Sequence, residues 1–135
     1  MLIFSCILFS QEKQKSVERG KALYEDLCLR CHLPNGKGIE GIYPPLAKAD
    51  FLFKNLKESI ISVKNGGIDG DIIVNGIEYN SYMQNMGLYN DEVADVMNYI
   101  LNSWGNKFEK IITEKYVEEL INTCLLYTSP SPRDS

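Results

Sequence analysis

The sequence predicts a small, mostly α-helical domain with a single β-hairpin. Two segments near the ends of the chain, beginning at Val17 and Asn90, carry apolar residues at helical spacing, and a third runs from Leu56 to Lys64. One Asn-Gly pair lies between two short β-prone runs, which is the strongest local signal for a hairpin. The 135 residues are 44% hydrophobic and 24% charged, as is ordinary for one soluble domain. The net charge of -4 comes with no Lys/Arg-rich block, so nothing indicates nucleic-acid binding.

The first and last helical segments are predicted to cross each other. Gly20 lies on the same face as Tyr24, where the missing side chain allows a close helix contact. Asn90 is predicted to cap the later helix, with two acidic residues following it at the positive end of the helix dipole. The apolar faces consist of Val17, Leu23, Tyr24 and Leu27 in the first helix and Val93, Val96, Met97 and Ile100 in the later one.

The middle of the chain supplies the remaining elements. The helix that begins at Leu56 is expected to stop at the Asn65-Gly66 pair. The hairpin is expected to turn at Asn75-Gly76 and to end just ahead of Met83.

The start of the chain is interpreted as an export signal. Residues 1–15 are predicted to be a partial signal peptide and a polar linker, because the apolar run at 2–9 is too short to span a bilayer but suits a signal peptide. A lipoprotein signal ending at Cys6 is the alternative, which the bulky Phe4 disfavours. The domain is therefore predicted to be periplasmic or exported, with membrane anchoring left open.

The end of the chain departs from the domain in two steps. After the domain at 16–106, residues 107–123 carry apolar residues that predict one more amphipathic helix, packed on the domain or docked onto a partner. Residues 124–135 then change to a Ser/Pro-rich tail that resembles translated sequencing adapter. On this interpretation Cys124 has no biological role; a genuine disordered tail is the alternative.

The only histidine of the chain directly follows a closely spaced pair of cysteines. Cys28, Cys31 and His32 form the C-x-x-C-H pattern of covalent haem attachment, in which two thiols add to the haem vinyl groups and the imidazole lies under the iron. A zinc site would need a second ligand pair. A thioredoxin-like redox pair would follow a strand, and a structural disulfide would leave His32 unexplained.

A sixth iron ligand is expected after the hairpin. Met83 and Met86 lie in a polar stretch without helical or strand periodicity, where a methionine has no evident packing role. A thioether opposite a histidine raises the reduction potential and favours electron transfer over substrate chemistry. Either methionine also suits simple packing in the haem crevice; if both did so, the iron would stay open.

These motifs, in this order, resemble class I cytochrome c of the bacterial mono-haem type over about residues 17–106. The resemblance implies a cytochrome c fold, with three to four helices around one covalently bound haem and a hairpin before the axial methionine loop. The matching features are Gly20, Tyr24, the C-x-x-C-H motif, the Tyr-Pro-Pro-Leu run at 43–46, the hairpin at 73–79, the methionine loop and the Asn-Ser-Trp-Gly-Asn ending at 102–106.

The resemblance also implies residue roles. Pro44 matches the proline whose carbonyl accepts the Nδ1 hydrogen of the haem histidine. Met83 matches the axial methionine at the start of a Met-Pro-x-(Met/Phe/Trp)-Gly loop. The family proline is replaced here by Gln84, which makes the loop less rigid and keeps Met86 as the alternative ligand.

The function that follows is electron transfer by a carrier rather than catalysis. The expected cofactor is one haem c, and the expected partners are periplasmic or membrane-bound redox proteins of a respiratory chain, through peripheral association without a transmembrane span. Three alternatives remain: a cytochrome subunit or domain of a larger oxidoreductase, a haem enzyme or gas-binding protein with an open iron, and a dithiol protein without haem.

Overall fold

The computed structural model describes residues 2–68 and 70–128, with side chains at 7–68 and 70–124. Within these residues, four helices of at least ten residues, two short helices and one hairpin confirm the predicted mostly α fold. In chain order the elements are α1 (Leu2–Leu27), α2 (Leu29–His32), α3 (Asp50–Lys54), α4 (Leu56–Asn65), β1 (Ile72–Val74), β2 (Ile77–Tyr79), α5 (Asn90–Ile100) and α6 (Glu114–Thr128).

Helix α1 runs without a break across the predicted boundary between linker and domain at residues 15 and 16. Near its start, Ile7, Leu8 and Phe9 are each about half exposed (49%, 48% and 49%). Further along, Lys13 donates through Nζ to the carbonyl of Phe108. None of the described helices has the length and hydropathy to cross a bilayer. The signal peptide stays a prediction, and the side chains of residues 1–6, including Cys6, lie outside the description.

Helices α1 and α5 cross at Gly20, as expected. A Cβ atom on Gly20 would overlap the Asp95 carbonyl and would lie 2.9 Å from the Tyr99 Cβ, so only glycine permits this approach. Beside the crossing, the buried Asp95 carboxylate accepts hydrogen bonds from Ser16 Oγ at 2.6 Å and from Arg19 Nε at 2.8 Å. At the crossing, the two helix backbones are therefore in contact, and the buried Asp95 charge has hydrogen-bond partners.

The start of α5 differs from the prediction. Tyr89, with extended backbone, occupies the N-cap position, and Asn90 is the first helical residue. The side chain of Glu92 reaches back and accepts the Tyr89 N–H at 2.9 Å, as the N3 acid of a capping box does, whereas an Asn cap would accept an N–H of the first helical turn. The prediction that Asn90 is the cap is therefore wrong by one residue.

The central elements confirm the sequence-based prediction. Helix α4 ends at Asn65, followed by Gly66 in the left-handed conformation at φ 93°. Strands β1 and β2 are antiparallel, with Val74 paired to Ile77. Asn75 and Gly76 both have positive φ, 50° and 83°, as a type I′ turn requires.

The C-terminal extension packs on the domain, but its helix begins later than expected. Residues 107–113 are not helical, and α6 starts at Glu114 because the Thr113 hydroxyl caps it, accepting the Tyr116 N–H at 3.1 Å. Ile112 and Val117 are buried, at 4% and 0% exposure. Helix α6 continues to Thr128, into the predicted tail, whose remainder at 129–135 lies outside the described residues.

Candidate functional site

The two cysteines of the motif lie where α1 gives way to the single turn of α2. The Cys28 carbonyl accepts the N–H of Cys31 at 3.2 Å and of His32 at 3.0 Å, so one helical turn brings all three residues to the same cavity wall. No disulfide joins Cys28 to Cys31. Burial, followed by the charge of Cys31, raises the pKa of the Cys28 thiol to about 11. In the apoprotein this thiol is therefore protonated at neutral pH.

The His32 imidazole is oriented by a backbone carbonyl. Its Nδ1 lies 2.9 Å from the oxygen of Pro44, and because a carbonyl can only accept, Nδ1 carries the hydrogen. Burial lowers the pKa of His32 below its usual value, outweighing the opposite effect of this hydrogen bond. The ring is thus neutral at pH 7, with the lone pair of Nε2 free to bind a metal.

Two glycines allow the loop after His32 to bring Pro44 back to the imidazole. The N–H of Gly38 donates to the His32 carbonyl at 3.0 Å, and a Cβ at Gly38 would lie 2.7 Å from the Pro44 oxygen. The carbonyl of Gly36 accepts the N–H of Leu46 at 2.7 Å. A Cβ at Gly36 would press into the Trp104 ring, 2.7 Å from its Cδ2. Both glycines have positive φ, so other residues would be strained there.

The methionine loop forms part of the other wall. Met83 and Met86 both line the cavity and are both half-buried. The side chain of Met86 packs against the hydrophobic core, whereas Met83 is not among the described side chains that do so. Asn85 gives the loop a local turn, since its Oδ1 accepts the Gly87 N–H at 2.8 Å. The structure thus supplies an Asx turn in a loop that lacks the family proline.

The cavity between these walls has a volume of about 340 Å³. No Asp, Glu, Lys or Arg is among the described side chains that line it. Nor do the described residues contain a group of three or more His, Cys, Asp and Glu side chains able to hold a metal ion. A flat apolar group that brings its own metal fits this combination of apolar walls, two thiols, one imidazole and two thioethers.

Two polar residues of this cavity were not predicted from the sequence. Ser59 and Ser62 line it from α4, and both hydroxyls are satisfied by helix carbonyls, at 2.9 Å from Asn55 and 2.7 Å from Ser59. Their spacing of three residues places them on one helical face, which was the available signal. Sequence analysis also missed the Tyr24 hydroxyl and the Trp104 indole, which bind the loop after His32.

Comparison with known proteins identifies the family of the chain. The cytochrome c family matches residues 17–104, which is most of the chain. The chain belongs to the cytochrome c family. This cytochrome therefore carries a covalently bound haem c, in agreement with the chemistry of the cavity.

Individual relatives are similar over shorter shares of their length. Cytochrome c-552 of Thermus thermophilus is 41% identical over 83 residues, covering 58% of this chain and 63% of the relative. The cytochrome c subunit of a quinone alcohol dehydrogenase from Gluconacetobacter polyoxogenes is 28% identical over 107 residues, covering 77% of this chain and 22% of the relative. The chain thus spans less than two thirds of the length of either relative.

Proposed function

We propose that this cytochrome is a single-haem electron carrier in which Cys28 and Cys31 hold the haem covalently and His32 and Met83 ligate its iron. The observation that carries the proposal is the position of the His32 imidazole, whose Nδ1 donates to the Pro44 carbonyl at 2.9 Å on the wall of a cavity that both cysteines and both methionines line. When bound, the haem supplies one-electron reduction and oxidation.

The packing of Met86 and the resemblance of Met83 to the ligand of the family loop support Met83 over Met86 as the residue that would be the second iron ligand. Met86 packs against the hydrophobic core, and moving its side chain to the iron would remove that contact.

The cavity walls support electron transfer rather than substrate chemistry. With His32 and a methionine as its ligands, a bound haem iron would have no open position for a substrate. The uncharged, largely apolar lining would disfavour the more highly charged oxidised iron and so raise the reduction potential. No described side chain of the cavity carries a carboxylate for acid–base work.

The proposal includes the cellular location of this cytochrome. The apolar run before the domain supports export, so we place this cytochrome in the periplasm or outside the cell. Its donor and acceptor would be redox proteins that are periplasmic or bound to the membrane, reached through the protein surface around the cavity.

Alanine at Met83 is expected to remove the sulfur–iron charge-transfer band from the visible spectrum of the oxidised protein and to lower the reduction potential. The haem should stay attached after denaturation, because the two thioether bonds do not involve Met83. The measurement is absorption spectroscopy and redox titration of protein made with a haem-attachment system.

The matched control is Met86→Ala, which should keep the band and lose only packing. Loss of the band in Met86→Ala alone would assign Met86 as the ligand. A wild-type spectrum without any methionine band would favour a haem enzyme or gas-binding protein. If no covalent haem formed, the proposal would be overturned.

A second candidate function is that of a cytochrome subunit in a larger oxidoreductase. The observation that favours it is the similarity to the cytochrome c subunit of a quinone alcohol dehydrogenase. Haem staining of a native gel of source-cell extract separates the two. A free carrier gives one haem band at the position of a single small domain, and a subunit gives a band at much higher mass.

A further inference from the structure

Leu33, directly after His32, has a backbone conformation that residues other than glycine rarely adopt. Leu33 has φ 69° and ψ 159°, a region that is essentially restricted to glycine. A leucine stays there only when its surroundings hold it. The Leu33 N–H donates to the Leu29 carbonyl at 2.8 Å, and its carbonyl accepts the Gly36 N–H at 3.0 Å.

A side chain from α1 provides a third bond to this strained residue. The Tyr24 hydroxyl donates to the Leu33 carbonyl at 2.6 Å. The Tyr24 side chain has 0% exposure, and its ring packs against Tyr99 and Trp104 with centroids 5.4 and 5.1 Å away. Burial raises the pKa of Tyr24, so the phenol remains a donor at all physiological pH values.

A second side chain holds the next residue of the same turn. The Trp104 indole Nε1–H donates to the Pro34 carbonyl at 2.8 Å, and the ring packs over Gly36. Two aromatic donors, Tyr24 from α1 and Trp104 from the segment that follows α5, therefore hold consecutive carbonyls at positions 33 and 34. This turn begins the loop that returns Pro44 to the His32 Nδ1.

We propose that Tyr24 and Trp104 are positioning residues that hold the strained turn at Leu33 and thereby keep the His32 imidazole bonded to the Pro44 carbonyl. The inference rests on the proposed function, in which His32 ligates the iron. If the turn relaxes, the Nδ1–H···O bond lengthens and the imidazole becomes a weaker electron donor. A weaker donor stabilises the oxidised iron less, so the reduction potential rises.

The test compares Tyr24→Phe with Tyr99→Phe in the haem-loaded protein. Both changes remove one hydroxyl from the same aromatic cluster, but among the described residues the Tyr99 hydroxyl makes no hydrogen bond to the loop. In the Tyr24→Phe variant, the His32 Nδ1 hydrogen should exchange with solvent at least ~10-fold faster, since one lost hydrogen bond has that order of effect. Proton NMR measures this exchange rate. Tyr24→Phe should also raise the reduction potential, whereas Tyr99→Phe should change neither quantity.

A double variant separates the effect on the turn at Leu33 from a general loss of protein stability. Glycine adopts the conformation of Leu33 without strain, so adding Leu33→Gly to Tyr24→Phe should return both the exchange rate and the potential toward the wild-type values. Trp104→Phe, which keeps a ring but loses the donor, should act in the same direction as Tyr24→Phe.

Two outcomes would overturn the inference. The first is a Tyr24→Phe variant with lowered thermal stability but wild-type exchange rate and potential, which would make Tyr24 a packing residue only. The second is a double variant that shows no rescue. Failure of the proposed function would look different, because the wild-type protein would then lack covalent haem or a ligated histidine in its own spectrum.

Discussion

Alanine at Gly20 is expected to lower the free energy of unfolding by about 3 kcal/mol, the scale of a severe overpacking change. The added methyl group would overlap the carbonyl of Asp95 and lie 2.6 Å from its carbonyl carbon. The Asp95 carbonyl oxygen and carbon both belong to the backbone of α5, so no side-chain rotation relieves the overlap and the helices must separate. Intrinsic helix propensity acts in the opposite direction, because alanine is favoured over glycine by about 1 kcal/mol inside a helix.

The helix contact predicts a loss of stability and helix propensity alone predicts a gain, so the sign of the change in unfolding free energy distinguishes them. Denaturant unfolding of the haem-loaded protein, followed by circular dichroism, gives the free energy directly. The matched control is Lys21→Ala, which creates the same residue at the next, exposed position of α1 and should change the free energy by no more than about 0.5 kcal/mol. A Gly20→Ala variant that gained stability, as an isolated helix would, would contradict the crossing of α1 and α5 at this residue.

Features encoded in short, consecutive patterns were predictable from the sequence. The Asn75-Gly76 turn and the stop of α4 before Gly66 each depend on a few neighbouring residues, and the structure has both as expected. The C-x-x-C-H motif is equally local, and its three residues line one cavity. Gly20 was also predictable, because a glycine on an apolar helical face has few explanations other than close contact.

Features that depend on distant partners were harder to predict. Pro44 was assigned to His32 by family resemblance, since nothing local in a Pro-Pro pair shows which carbonyl meets an imidazole twelve residues earlier. The hydroxyl of Tyr24 and its bond to Leu33 were not predicted, because apolar periodicity describes the ring and not its polar end. The start of α6 was missed because Thr113, which caps it, lies inside a stretch that continues the apolar pattern.

Docking of the C-terminal extension, residues 107–123, is expected to depend most on Asn98. Its side chain has 0% exposure and forms a reciprocal pair with the backbone of Ile112: Oδ1 accepts the Ile112 N–H at 2.8 Å, and Nδ2 donates to the Ile112 carbonyl at 2.9 Å. Nδ2 also donates to Ser16 Oγ at 2.8 Å. Asn98→Ala leaves buried backbone groups unpaired, at about 1–3 kcal/mol each, so we expect a loss of about 4 kcal/mol in the free energy of unfolding.

The same substitution tests whether the extension is part of the folded unit. The family match ends at residue 104, yet Ile112 and Val117 beyond it are buried against the domain. Because Asn98 joins α5 to Ile112 and to Ser16 of α1, its loss should release residues 107–124 and make them sensitive to limited proteolysis while the haem stays attached. Asn122→Ala, an exposed asparagine of α6, is the matched control and should leave both stability and cleavage unchanged. If Asn98→Ala destabilised the protein without exposing the extension, α6 would be held by its apolar face, and the polar pair would serve the α1–α5 crossing instead.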